Sequence, residues 1–282
     1  MKKVTIPDDV INTQLGDINL HCYENRMDIV KCQVAFSQNV FSFLVEGYKE
    51  IYHSNSPVQL DSKGFTLISA PHCLMTEKRT NPSAPYKSIL LFFNNKALDA
   101  FKMKYQSLFN INKEKQHNLI YTFQYDPYCF HFRTSLELLL NNTSTISSEI
   151  LQAKFEEIML YLLQKEPEKI RQLLASNVPD FEFQFKSIVE NNIHSQLSLD
   201  ELAFLCNMSI STFKRYFSQY YQTTPKKWFI AERMKTAAYL LQNGERPIDI
   251  YAKVGYKSLS NFIRAYRNHF QIAPKQQQQM NV

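Results

Sequence analysis

The sequence predicts an α+β protein in two parts: an antiparallel β domain carrying helices, then an all-α domain of two helix-turn-helix units joined by a long helix. Three observations carry this reading. β-rich runs fill the first hundred residues, helical periodicity takes over from about residue 96, and one helical pattern occurs twice in the last third of the chain. At 282 residues the chain is long enough for two domains of ordinary size. Its 44% hydrophobic and 21% charged content is that of a globular protein.

In "NVFSFLVEGYKEIYHS" (39–54) two β-rich runs meet near Glu46 and Gly47, the pattern of a hairpin. "VQLDSKGFTLISA" (58–70) repeats it around Asp61 to Gly64, and "YKSILLFFN" (86–94) reads as a buried strand. Asn81 to Pro85, with two prolines, is a loop. The simplest assembly is a small antiparallel sheet or barrel. "KALDAFKMKYQSLF" (96–109), "YCFHFRTSLELLLNN" (128–142) and "SSEILQAKFEEIMLYLLQK" (147–165) then show helical spacing, the last with Ser147 or Ser148 as N-cap. Ile150, Phe155, Ile158 and Leu162 give that helix a wide apolar face, open to two readings: packing on its own sheet, or a dimer seam. Pro167 and Pro179 bracket a short helix or linker. The expected organisation is a regulatory domain over 1–165, a linker over 166–179, a second domain over 180–275 and a polar tail over 276–282.

Composition excludes several classes. No apolar run reaches the roughly 18 residues of a membrane span. The start "MKKVTIPDDVINTQLGD" breaks at Pro7, Asp8 and Asp9 before any apolar h-region, so no signal peptide is expected and the cytoplasm is the expected compartment. The five cysteines, Cys22, Cys32, Cys73, Cys129 and Cys206, form no CxxC pair and read as thiols. His21-Cys22 and His72-Cys73 are neighbours that a strand would point to opposite faces, and no further ligand stands at useful spacing, so no metal site is expected. The net charge of +6 is unevenly placed: Asp180 to Lys275 holds 13 Lys and Arg against 8 Asp and Glu, while the rest is nearly neutral. A basic domain tied to a neutral one suits a polyanion, nucleic acid above all.

The decisive pattern is a repeat. Shifted by 49 residues, "LDELAFLCNMSISTFKRYFSQYYQTTP" (199–225) lies without a gap on "IDIYAKVGYKSLSNFIRAYRNHFQIAP" (248–274). Asp200 meets Asp249, Ala203 meets Ala252, Ser209 meets Ser258, Ser211 meets Ser260, Phe213 meets Phe262, Arg215 meets Arg264, Gln222 meets Gln271 and Pro225 meets Pro274. Each copy has a short helix with an alanine on its inner face, a tight turn, a serine cap and an amphipathic helix. Gly255 fits a turn position of positive φ; Cys206 stands at the matching place, so the first turn must differ in backbone or strain. Between the copies, Pro225 suits a helix start and Gly244 a stop, with Trp228, Phe229, Met234, Ala237, Ala238 and Leu241 as its apolar residues. A helix from about Lys226 to Asn243 is roughly 27 Å long at 1.5 Å per residue. Major-groove faces on one side of B-DNA lie about 34 Å apart, so this rod suits two recognition helices in adjacent major grooves.

The region from about Phe181 to Lys275 resembles the DNA-binding domain of the AraC/XylS family of bacterial transcription regulators. The resemblance rests on "SLDELAFLCNMSISTFKRYFSQYYQTTPKKWF", on "ERMKTAAYLL", and on "IDIYAKVGYKSLSNFIRAYRNHFQIAPKQ" with the family's VG(F/Y) turn. Upstream, "FLVEGYKEIYHSN" and "KGFTLISAPHCLMTEKR" look like the cupin-like N-terminal domain of AraC-type activators that resemble regulators of type III secretion genes. The resemblance implies an activator that is a homodimer through this domain, with RNA polymerase as a partner and a protein antagonist rather than a sugar as effector. The tail "QQQQMNV" has no assigned counterpart.

With the apolar stripe inward, Ser211, Thr212, Lys214 and Arg215 of the first unit and Ser260, Asn261, Ile263 and Arg264 of the second are left to face DNA, and the family's base-reading positions give the same sets. Arg pairs with guanine O6/N7, Asn with adenine, and Ile with a thymine methyl. Arg215 and Arg264 also admit a structural role at a helix C-terminus. Ser209 and Ser258 read as N-caps whose helix ends suit phosphates, and Lys226, Lys227, Arg267 and Lys275 as backbone contacts or solvated charges. Two rival functions stay open. A metal-dependent cupin enzyme lacks a ligand set, a nucleophile-base pair and a phosphate loop, so no catalytic residue, metal or cofactor is assigned. A regulator of sugar or other metabolic genes, answering a small-molecule effector, would use Phe43, Tyr48, Tyr52 and Phe65 as pocket walls or as core.

Overall fold

The computed structural model of the chain describes residues 3–11, 14–53, 57–108, 119–142, 145–175 and 181–279. It divides into two compact units: Met1–Tyr52 with Val58–Pro179, and His53–Pro57 with Asp180–Val282. No helix among the described residues is long and apolar enough to cross a membrane.

The first unit holds ten strands among the described residues: β1 (Lys3–Ile6), β2 (Ile18–Asn25), β3 (Ile29–Phe36), β4 (Asn39–Glu46), β5 (Tyr48–Tyr52), β6 (Val58–Leu60), β7 (Gly64–Ile68), β8 (His72–Lys78), β9 (Tyr86–Phe93) and β10 (Ile120–Gln124). They form two five-stranded sheets, ordered β1-β3-β8-β5-β6 and β10-β7-β4-β9-β2. Pairing is antiparallel except for β1 on β3. The hairpin expected over 39–54 does not form. β4 pairs with β7 and β9, whereas β5 pairs with β6 and β8 in the other sheet. Gly47 is the crossover: its φ is +112°, and a Cβ there would meet the Tyr86 ring at 2.6 Å. The run 58–70 likewise splits, β6 staying in the first sheet and β7 joining the second.

Four helices cover the second sheet: α1 (Asn95–Lys104), α2 (Pro127–Asn142), α3 (Ser148–Lys165) and α4 (Pro167–Ala175). Phe41, Phe43, Phe65, Leu91 and Phe93 form a core with Phe132, Phe155, Ile158 and Leu162. Val40, Ile68, Leu90 and Phe92 point the other way, onto Cys32, Val34, Ile51, Cys73 and Met75 of the first sheet. A sheet covered on both faces needs apolar residues at successive positions, which is why 86–94 reads as a continuous greasy run. Phe155, Ile158 and Leu162 of α3 are buried within their own unit, so most of that apolar face packs intramolecularly, while Ile150 stays exposed. Ser147 caps α3, accepting from the Ile150 N–H at 3.4 Å. The expected linker is in part a helix of this unit: Ile170, Leu173 and Leu174 of α4 are buried in the same core. Pro167 occupies its first position, where a missing N–H costs nothing. Cys32, Cys73, Cys129 and Cys206 are buried thiols and Cys22 is half-buried.

The second unit is helical among the described residues: α5 (Phe181–Glu190), α6 (Leu199–Leu205), α7 (Ile210–Tyr221), α8 (Pro225–Gln242), α9 (Pro247–Ile250), α10 (Leu259–Phe270) and α11 (Pro274–Gln279). Ser198 and Glu201 close a capping box at α6. α8 runs as one helix and ends at Gly244, whose φ is +85°. It carries two apolar faces. Near its start Phe229 packs on Phe217 of α7, with ring centroids 6.0 Å apart. Further on, Met234, Ala237 and Leu241 join Ile250, Val254, Phe262 and Tyr266 in a separate cluster. One spine thus serves two small cores.

Candidate nucleic-acid interface

The sequence repeat is reproduced in backbone detail at both reading helices. Ser209 caps α7 by accepting from Thr212 N–H at 3.2 Å, and Ser258 caps α10 by accepting from Asn261 N–H at 3.3 Å. At the far ends, Gln222 and Gln271 take left-handed conformations with φ of 54° and 61°. Each glutamine folds its amide back onto a carbonyl three residues earlier, Gln219 at 2.7 Å and Asn268 at 3.1 Å.

The turns between the paired helices differ. Gly255 has φ +82°, whereas the aligned Cys206 has φ −81° and the positive φ falls one residue later, on Asn207 at 55°. Asparagine is among the few non-glycine residues that tolerate that region. The helix before the second turn is also shorter, and this moves the alanines apart: Ala203 is buried, but Ala252 is exposed, against the expectation of an inner alanine in both copies.

Charge is sorted within this unit. Lys186, Lys235, Arg246 and Lys253 pair with Glu190, Glu232, Asp249 and Glu245. Lys214, Arg215, Lys226, Lys227, Lys257, Arg264, Arg267 and Lys275 are exposed and pair with no carboxylate among the described residues. The unbalanced positive charge therefore sits on or beside α7, α10 and the starts of α8 and α11. Lys257 was not singled out from sequence, because the aligned residue is Met208 and the repeat hides it.

On α10, Ser260, Ile263, Arg264 and Arg267 line one shallow depression together with Asn268. An open cleft of about 780 Å³ brings Lys226, Lys257, Asn261 and Arg264 together with Ser198, the N-cap of α6. Arg264 donates to Asn261 Oδ1 at 3.0 Å, which holds both side chains on this face. Neither Arg215 nor Arg264 hydrogen-bonds a helix-terminal carbonyl among the described residues. Ile263 differs from expectation: it is half-buried against the α8–α10 core, so only part of it remains for an outward contact. On α7, Lys214 and Arg215 are exposed, and the Ser211 and Thr212 hydroxyls lie 3.0 and 2.8 Å from that of Ser209, a cluster of hydroxyls at the helix N-terminus. Lys227 and Lys275 are exposed but line neither the cleft nor the depression.

The first unit has a cavity of about 350 Å³ between its sheets. Its walls are apolar, including Val34, Val40, Ile68 and Leu90, but Lys49, Glu77 and Ser42 give it a buried polar end. Lys49 donates to Ser42 Oγ at 2.9 Å and lies 3.8 Å from Glu77. Burial holds the Lys49 ammonium below its ordinary pKa, with the Glu77 carboxylate opposing that shift. Phe43 and Phe65, considered from sequence as pocket walls, are core residues on the opposite face of the second sheet, and Tyr48 and Tyr52 do not line the cavity. No group of three His, Cys, Asp or Glu among the described residues could hold a metal ion.

Two capped helices, α7 and α10, packed on one shared helix, with their cations left open, define a double helix-turn-helix domain. Comparison with known proteins agrees in both parts. Residues 39–174 match the family described as the ExsA N-terminal regulatory domain, and residues 202–280 match the helix-turn-helix domain of AraC type. The chain belongs to the AraC family. It is 28% identical over 111 residues to the HTH-type transcriptional regulator GbdR of Pseudomonas aeruginosa, covering 39% of this chain and 30% of that protein. It is 30% identical over 139 residues to the virulence regulon transcriptional activator VirF of Yersinia enterocolitica, covering 47% of this chain and 50% of that one. The chain spans half or less of the length of these curated relatives. A crystal structure of an apo ToxT variant from Vibrio cholerae aligns over 95% of this chain and 99% of its own, at 12% identity and a TM-score of 0.44.

Proposed function

We propose that the chain is a cytoplasmic, sequence-specific DNA-binding transcription regulator that sets α7 and α10 into adjacent major grooves of one duplex. Ser211, Thr212, Lys214 and Arg215 read one half-site; Ser260, Asn261, Arg264 and the outward part of Ile263 read the other. Ser209, Ser258, Lys226, Lys227, Arg267 and Lys275 hold phosphates, and Lys257 joins them. The observation that carries this reading is the sorting of charge: among the described residues of the C-terminal unit, the exposed cations left without carboxylates are those on or beside α7 and α10. The protein activates transcription, as VirF's description says of VirF, by contacting RNA polymerase, and it works as a homodimer through its N-terminal unit.

Selection of bound duplexes from a random pool tests this. The expected product is a motif of two unlike half-sites about 10 base pairs apart centre to centre, with affinity falling linearly in log salt at about 0.9 per phosphate contact. Recovery of no motif, or of a single half-site, contradicts it.

The interior cavity favours a second reading, control by a small molecule. Its largely apolar walls suit a compact apolar ligand with one hydrogen-bonding head at Ser42, Lys49 and Glu77, rather than a sugar. Calorimetric titration of the full chain with decan-1-ol should then show saturable binding, lost in Val34→Trp, while glucose gives none. Equal binding by the filled variant refutes the assignment.

A further inference from the structure

The two helix-turn-helix units are clasped as well as joined by α8. Arg233, midway along α8, donates through Nε to Ile193 O at 2.6 Å, through Nη2 to Ser195 O at 2.7 Å and through Nη1 to Gly255 O at 3.3 Å. The first two carbonyls belong to the segment leading into the first unit, and the third to the turn of the second. Backbone meets backbone at the same point: a Cβ on Gly255 would lie 2.7 Å from His194 O and 3.0 Å from Arg233 Cζ. Two of the three clasped carbonyls stand three residues upstream of an N-cap, Ser195 before Ser198 of α6 and Gly255 before Ser258 of α10. The planar guanidinium suits this because its donors diverge in fixed directions, so one side chain can span three carbonyls. The Phe229 and Tyr256 rings lie 5.9 Å from its centre and fix its plane.

We infer that Arg233 is a positioning residue that locks the spacing and phase of the two reading helices, by holding the lead-in of the first unit against the turn of the second. This rests on the reading that both units engage one duplex. Arg233 itself touches no base in this scheme, so its removal should act only where both helices must fit at once.

The test uses the full chain, the selected two-half-site duplex, each half-site alone, and duplexes with one base pair inserted or deleted between the half-sites. For the native protein a one-pair insertion turns one half-site by roughly 35° and should lower affinity about tenfold or more. Arg233→Gln should bind each isolated half-site within about twofold of the native protein, bind the intact site about tenfold more weakly, and lose most of the spacing penalty. Arg233→Lys keeps the charge but not the fork, and should show the same flattened spacing profile. An unchanged spacing profile in both variants overturns the inference, as does an equal loss on isolated half-sites and intact site. Circular dichroism checks folding; should the glutamine variant unfold, the lysine variant decides. Failure of the native protein to bind any duplex defeats the DNA-binding reading itself and is distinguished by that control.

Discussion

Phe217→Ala is expected to destabilise the C-terminal unit by about 3–5 kcal/mol, the usual loss for truncating a fully buried phenylalanine. Phe217 has no exposed surface and lies among Phe213 at 5.7 Å, Tyr221 at 4.5 Å, Trp228 at 5.6 Å and Phe229 at 6.0 Å. A domain of this size has a total stability of about 5–15 kcal/mol, so the loss is a large share of it. Trp228 is the chain's one tryptophan and touches this cluster, so denaturant titration followed by its fluorescence reports on this unit. Binding to cognate and random duplex should fall together, since the damage is to the scaffold. A shift below about 1 kcal/mol would mean that the aromatic cluster is not the core of the first helix-turn-helix unit.

Arg264→Ala should behave differently, with the fold intact and a loss of about 1–3 kcal/mol on the cognate site alone, together with relaxed preference at one base pair. Its guanidinium is exposed on α10, held beside Asn261, and among the described residues makes no bond to the scaffold beyond its own helix. Lys226→Ala supplies the contrast: binding to all sequences should weaken alike and the salt slope should drop by about one. Equal losses for Arg264→Ala on cognate and random duplex would reassign Arg264 to the phosphate backbone.

The parts of this molecule that were legible in the sequence are those set by local forces. Caps, helix periods and the aromatic stripe of α7 act within a few residues, and the second copy doubled each signal. The C-terminal unit was therefore readable down to its caps and stops: Ser209, Ser258 and Gly244 stand where propensity put them. Strand partners were not readable. Gly47 reads as a hairpin turn because β4 and β5 are adjacent in sequence, yet its positive φ sends the chain into the other sheet. Pairing across sheets depends on contacts far apart in the chain, which no short window encodes. Between Pro167 and Pro179 the sequence leaves a short helix and a linker as alternatives, and the helix forms, opened by Pro167. In the candidate interface, Ile263 is placed by helix geometry and by the family's base-reading positions, and only packing against the α8–α10 core shows how much of it is covered. The Arg233 clasp had no signal at all, because backbone carbonyls carry no letter in a sequence.

Repetition with unlike outward residues has a consequence for the genome rather than for the protein. α7 offers Thr212 and Lys214 where α10 offers Asn261 and Ile263, on helices capped alike at both ends. On the proposed reading, a single chain so built would read a sequence that differs from its own reverse complement, and its site on a chromosome would point one way. Turning that site around upstream of a gene leaves occupancy unchanged but reverses which end of the protein lies nearer the start of transcription. Promoter orientation then becomes part of the regulatory code.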